Sequence, residues 1–220
     1  MASSHDLSPL QREILRSLFA REQGFFLTGG AALVGFHLHH RDTLDLDLFT
    51  TDPAVFERAE RLPREVAATI GASVEDRRTA PGFRRSALTR GDETVIVDFV
   101  LERVEQLHAD KPVFDGIPID PPDEILANKL CAIVGRMEER DLVDVMMLER
   151  SGLRVEDVLP AALRKDGGCT PANLAWLISE VRVPEQAVLP AGVHGKELGE
   201  YLQGLVVRLR RAALPGPSES

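Results

Sequence analysis

The sequence predicts an α/β (α+β) fold: a small mixed sheet flanked by helices, followed by a C-terminal helical domain. Three observations carry that expectation. Short apolar runs at 25–28, 43–49 and 93–101 have the length and alternation of strands. Stretches between and after them repeat apolar residues at three- and four-residue spacing, as helices do. One strand run also carries Asp45 and Asp47 at i and i+2, which gives it a polar face opposite Leu44, Leu46 and Leu48.

In chain order, 6–21 reads as an amphipathic helix, with Ser8 as N-cap, Pro9 at the first helical position and a Leu10, Ile14, Leu15, Leu18 stripe. Gly24 ends it, and 25–28 is a short buried strand. Gly29-Gly30 leads into a small-residue helix over 31–39, and 43–49 is the second strand, expected at the centre of the sheet. Asp52-Pro53 starts a helix predicted to run through about Ile70 and to close at Gly71. A short strand at 72–77 precedes two strands, 83–89 and 93–101, joined at Arg90-Gly91-Asp92. Residues 102–120 continue as polar strand and loop, with a turn at Asp115-Gly116. Pro121-Pro122-Asp123 opens a long helix, Glu138-Glu139 mark a break, and 141–150 is a second helix. Beyond Gly152, helices are expected near 155–165, 171–182 and 195–213. The implied organisation is a mixed domain over 1–150, a helical domain over 151–214 and a disordered tail at 215–220.

With 44% hydrophobic and 28% charged residues, the 220-residue chain has the make-up of a soluble globular protein. A net charge of −9 argues against coating duplex DNA, which needs a basic face. The segment 58–90 departs from this, with eight arginines against four acids, and is a candidate patch for a polyanion. Cys131 and Cys169 stand alone without metal-ligand spacing, and Cys131 falls in an apolar helical run that suggests a buried small residue. Unpaired cysteines, with no signal segment and no apolar run of about 18 residues, lead to the expectation of a cytoplasmic protein with no membrane partner.

The chemistry concentrates in 25–49. Two carboxylates so close on one strand face repel each other, which a divalent cation between them relieves. Asp98 stands mid-strand among apolar neighbours and leaves two readings open: a buried or edge-strand hydrogen-bonding aspartate, or a third metal carboxylate. Three carboxylates on adjacent strands are what two-metal phosphoryl or nucleotidyl transfer requires. Gly29-Gly30 before a helix would present backbone N–H groups to phosphates.

The run Leu27-Thr28-Gly29-Gly30-Ala31-Ala32-Leu33, followed by His40-Arg41-Asp42-Thr43-Leu44-Asp45-Leu46-Asp47-Leu48-Phe49, resembles the AbiEii/AbiGii-type toxin nucleotidyltransferases, members of the DNA polymerase β-like superfamily. Lys129-Leu130-Cys131-Ala132 and then Arg140-Asp141-Leu142-Val143-Asp144 resemble the later elements of that pattern. The likeness spans about 24–150. Ala31 departs from it, standing where Ser or Thr is common, while Thr43 keeps a hydroxyl.

The resemblance implies a sheet of the polymerase β type and a role for each matching residue. Asp45 and Asp47 would bind Mg²⁺ (or Mn²⁺), and Asp98 would complete the metal site or act as base. Gly29, Gly30, Arg41 and Thr43 would contact the NTP. Lys129 would neutralise its triphosphate, and Asp141 would supply a functional acid. Plainer readings stand beside these: a snorkelling surface lysine for Lys129, and a helix cap or solvated face for Asp141 and Asp144.

Asp45-Leu46-Asp47-Leu48-Phe49 also has the outline of a haloacid dehalogenase nucleophile loop, but Phe49 stands where Thr or Val belongs. His37, His39 and His40 lack the partners of a tetrahedral zinc set. The expected activity is transfer of a nucleoside monophosphate from an NTP to an RNA hydroxyl, as at a tRNA 3′ end, by a toxin with a cognate antitoxin. Nucleotidylation of a small molecule or protein, and a silent nucleotide- or partner-binding module, are the alternatives.

Overall fold

Ser8 accepts a hydrogen bond from the Gln11 amide while the Gln11 side chain accepts one from the Ser8 amide. This reciprocal box opens α1 (Pro9–Phe19), whose Leu10, Ile14, Leu15 and Leu18 stripe is buried. The structure is a computed structural model that describes residues 6–214, so the tail expected at 215–220 lies outside the described residues. By compactness the chain divides into two units. The first comprises residues up to Val104 together with His108–Pro121, and the second Glu105–Leu107 with residues from Pro122 on. The boundary expected at Gly152 falls inside the second unit.

Five strands form the sheet of the first unit: β1 (Phe26–Thr28), β2 (Asp45–Thr50), β3 (Ser73–Ala80), β4 (Phe83–Arg90) and β5 (Glu93–Leu101). Their spatial order is β1-β2-β5-β4-β3, with β2 and β5 parallel and the other pairs antiparallel, which makes the sheet mixed. The centre is therefore β5, the strand of Asp98, and not the Asp45–Asp47 strand expected there. Leu46, Leu48, Val97 and Phe99 are buried on the core face, and Phe99 packs edge-on against Phe25. Leu44 is a further correction: strand β2 starts at Asp45, and the Leu44 side chain is 75% exposed rather than part of that face.

Three other local expectations shift. The helix after the glycines starts at Gly29, two residues early, as α2 (Gly29–Ala32), and continues as a π-helical segment, Leu33–His37. The helix predicted from Pro53 to Ile70 is broken into α3 (Pro53–Glu57), a 3₁₀ turn at Arg58–Glu60 and α4 (Leu62–Ile70). Pro63 has no N–H to donate to the Ala59 carbonyl, and its ring crowds that turn. Strand β3 runs to Ala80 and contains a register shift between Asp76 and Arg78. A small hairpin, β6 (Val113–Phe114) and β7 (Ile117–Pro118), turns at Asp115-Gly116. Ile119 beyond it bridges to Leu27 on the outer edge of β1.

The second unit is helical: α5 (Pro122–Gly135), α6 (Glu139–Arg150), α7 (Val155–Lys165), α8 (Pro171–Ser179) and α9 (Gly195–Ala212). Helix α5 packs on α6, α7 and α8, and α9 packs on α6 and α8, which is why Gly152 does not separate two cores. Cys131 is half-buried, not fully buried as expected, and its Sγ lies 3.7 Å from that of buried Cys169. No helix among the described residues is long and apolar enough to cross a membrane.

Candidate functional site

Strand register lines up one row of side chains across the whole sheet. Thr28 pairs with Asp47, Asp47 with Asp98, Asp98 with Arg85 and Arg85 with Arg78. Directly opposed residues project to the same face, so β1, β2, β5, β4 and β3 each contribute one group to that row. Asp45 lies two positions from Asp47 on the same strand face. The structure thus sets Asp45, Asp47 and Asp98 on one face, opposite the Leu46–Leu48 core.

The two glycines hold the chain close to this row. Gly29 has φ +64°, and a Cβ built there would meet Asp47 Oδ2 at 2.4 Å. A Cβ on Gly30 would meet Arg41 Nη2 at 2.8 Å and Thr43 Oγ1 at 3.2 Å. The glycine turn, Arg41, Thr43 and Asp47 therefore form one tight cluster. Gln11 Nε2 donates to the Thr43 carbonyl at 2.9 Å, tying α1 to the segment that enters β2. Arg41 is buried and its Nη1 donates to the Asp42 carbonyl. Ala31, at the position where a hydroxyl was noted as missing, is fully buried.

Asp98 is buried and held by an arginine of the neighbouring strand. Arg85 Nε donates to its Oδ1 at 2.7 Å and Arg85 Nη2 to its Oδ2 at 2.6 Å, a bidentate pair. That bond raises the Arg85 pKa, burial opposes it, and the charges of Asp98, Asp45 and Asp47 add to the rise. Sequence reasoning counted Arg85 only as one of many arginines. The signal for it was available: counting outward from the two-residue loop Gly91-Asp92 sets Arg85 opposite Asp98.

This donor set fits a divalent cation at Asp45 and Asp47. Both are half-buried carboxylates on one face, and a hard ion such as Mg²⁺ takes one or two carboxylates and fills its remaining positions with water and phosphate. Beside them the Thr28 hydroxyl is buried without a hydrogen-bond partner among the described residues, a polar atom left for a bound group. No group of three or more His, Cys, Asp or Glu side chains forms a metal cage among the described residues. As arranged, both oxygens of Asp98 are engaged by Arg85.

The remaining predicted residues form a separate cluster within the second unit. Lys129 Nζ on α5 lies 2.7 Å from Asp141 Oδ1 and 2.8 Å from Asp144 Oδ2, both on α6. Arg136 Nε reaches Asp141 Oδ2 at 3.1 Å. Lys129 is 7% exposed and both aspartates are 0% exposed, so neither the snorkelling lysine nor the solvated helix face describes them. Burial works against the Lys129 charge, but Asp144 and Asp141 outweigh it and hold the ammonium above its usual range. Burial likewise disfavours ionised Asp141, yet Lys129 and Arg136 keep its carboxyl below the ordinary range.

The arginine-rich segment is mostly neutralised. Arg58 pairs with Glu22, Arg64 with Asp76, Arg77 with Glu75, Arg84 with Glu60, Arg85 with Asp98 and Arg90 with Glu13. The broad polyanion patch suggested by composition is thereby reduced to Arg61 and Arg78, which make no ion pair among the described residues. His37 Nε2 contacts the Asp120 carbonyl at 2.9 Å, and burial lowers its pKa.

Comparison with known proteins adds a family to this geometry. The model of the family described as nucleotidyl transferase AbiEii toxin, type IV toxin–antitoxin system, matches residues 13–214. The fold is similar to the crystal structure of JHP933 from Helicobacter pylori, at TM-score 0.58 and 20% identity over 93% of this chain and 92% of that one. It is also similar to an H. pylori protein provisionally assigned as a nucleotidyltransferase, at TM-score 0.59 and 20% identity over 95% and 100% of the two chains. No curated protein matches the sequence.

Proposed function

The chain belongs to the AbiEii family of nucleotidyl transferase toxins, and from that premise we propose that it moves a nucleoside monophosphate from an NTP to an RNA 3′ hydroxyl, with a tRNA end as the favoured acceptor. The observation that carries the proposal is the row Thr28–Asp47–Asp98–Arg85, with Gly29 folded directly against Asp47. The supporting argument is chemical: the row offers carboxylate charge to a cation and a glycine turn to phosphate.

Asp45 and Asp47 would hold Mg²⁺ or Mn²⁺, which supplies neutralisation of the triphosphate and a lowered pKa for the attacking hydroxyl when bound. Without side chains, Gly29 and Gly30 let Asp47, Arg41 and Thr43 lie directly against the turn, where its backbone N–H groups, Arg41 and Thr43 would contact the phosphates. The acceptor oxygen attacks the α-phosphorus, the bond to the bridging oxygen breaks and pyrophosphate leaves. Asp98 takes the hydroxyl proton, or joins the cation site, when Arg85 releases one of its oxygens. Lys129 and Asp141 enter through the family resemblance, Lys129 as the cation for the triphosphate and Asp141 as the carboxylate that fixes its position. The toxin role implies an antitoxin as partner and a cytoplasmic setting in which RNA and NTP are both available.

The test is incubation with each α-³²P-labelled NTP, Mg²⁺ or Mn²⁺, and total RNA, with Asp47→Ala as control. Label on RNA that disappears in the variant is the expected result. Label on a small molecule or protein instead would replace the acceptor, and no transfer with NTP binding intact would overturn the enzymatic reading.

A further inference from the structure

The carboxylate row does not end at Arg85. The register shift in β3 between Asp76 and Arg78 has a specific consequence: Asp76 pairs with Ser86 on the opposite face, while Arg78 is turned to face Arg85 on the row. Phe83, two residues before Arg85 on β4, shares that face. The Arg78 guanidinium lies 5.6 Å from the Phe83 ring centroid and that of Arg85 lies 5.7 Å from it. Phe83 is half-buried and Arg78 is exposed. While six arginines of the segment pair with acids, Arg78 makes no ion pair among the described residues.

We infer that Arg78 and Phe83, beside Arg85, form the subsite for the acceptor strand, and that its ligand is single-stranded RNA. The inference rests on the proposed transfer reaction. An aromatic ring with two guanidinium groups beside it offers a stacking contact to a base, and a cation without a carboxylate partner among the described residues offers a phosphate contact; together these are the means by which proteins hold single strands. Strands lie 4.7–4.9 Å apart, so Arg78 on β3 is about 14 Å from the β2 carboxylates, within reach of a few nucleotides whose 3′ end lies at Asp47. Charge selects the occupant, because a cationic small molecule would be repelled by Arg78, while a duplex could not bring an unpaired base onto Phe83.

The subsite is tested apart from turnover by fluorescence anisotropy of a labelled twelve-nucleotide single-stranded RNA, without NTP, across a salt series. Arg78→Glu and Phe83→Leu are each expected to weaken binding about tenfold. Arg78→Glu should also flatten the dependence of log affinity on log salt by about one ion, and Arg78→Lys should keep that slope. In transfer assays the same variants should raise the KM for RNA and leave the KM for NTP unchanged. Wild-type affinity in both weakened variants, or equal binding of a blunt duplex of the same length, would overturn the subsite. RNA binding that depends on Arg78 and Phe83 in a protein that transfers nothing would instead leave the subsite standing and overturn the reaction.

Discussion

Two charged clusters in this chain use the same residue types and differ in how far they are buried. In the second unit, buried Lys129 pairs with fully buried Asp141 and Asp144, and the exposed Arg136 also reaches Asp141. On the sheet face, Asp45, Asp47 and Asp98 lie on one side of adjacent strands, and Arg85 gives two hydrogen bonds to Asp98. The sheet cluster sets half-buried Asp45 and Asp47 on one strand face beside buried Asp98, where we propose that a cation and the phosphates it carries bind.

That contrast can be broken from either side. The largest expected effect is on activity: Asp47→Asn should lower nucleotidyl transfer on the order of 10³-fold. An unchanged rate would remove Asp47 from the reaction. Lys129→Met should lower stability by about 3–5 kcal/mol, because it removes the buried ammonium that Asp141 and Asp144 share. Denaturant titration measures this directly, and an undiminished midpoint would show that the cluster does not support the fold.

A smaller effect is expected at the glycine turn. Gly29→Ala places a Cβ against Asp47 in a left-handed backbone, which costs roughly 1–2 kcal/mol and should raise the KM for NTP as the turn moves away from the carboxylate. Normal NTP affinity in this variant would mean that the turn does not touch the nucleotide.

The smallest effect is a pH dependence. The Asp141 carboxyl is held below its unfolded value, so it contributes stability above the ordinary carboxylate range that is lost as pH falls through the lowered value. Lys129, held above its usual range, contributes stability at neutral pH that is lost only as strong alkali passes its raised value. Unfolding free energy should therefore fall in acid in the wild type and fall less steeply in Asp141→Asn. Parallel acid profiles would place the depression elsewhere.

Much of this was legible from the residues. Alternation placed Asp45, Asp47 and Asp98 on strands, the Ser8-Pro9 signal placed α1, and the family pattern singled out Lys129 and Asp141. What single-strand patterns do not carry is pairing. Strand order made β5 central, and cross-strand register revealed Arg85 against Asp98, a partner thirteen positions away that a count from Gly91-Asp92 would have found. The shift that turns Arg78 onto the site face has no comparable signal, since a bulge follows from how two strands fit rather than from either alone. The neutralisation of the arginine segment was likewise hidden, because Glu13 and Glu22, partners of Arg90 and Arg58, lie far off in sequence. Ionic pairing inside the second unit depends on how α5 and α6 pack, which their separate periodicities do not state.

The most direct test of the account is equilibrium Mn²⁺ binding, followed by electron paramagnetic resonance in the presence of NTP, for the wild type, Asp45→Asn and Asp47→Asn. The account predicts a bound ion in the wild type and affinity reduced at least about tenfold in each variant. Mn²⁺ binding that is unchanged in Asp45→Asn and Asp47→Asn would contradict it.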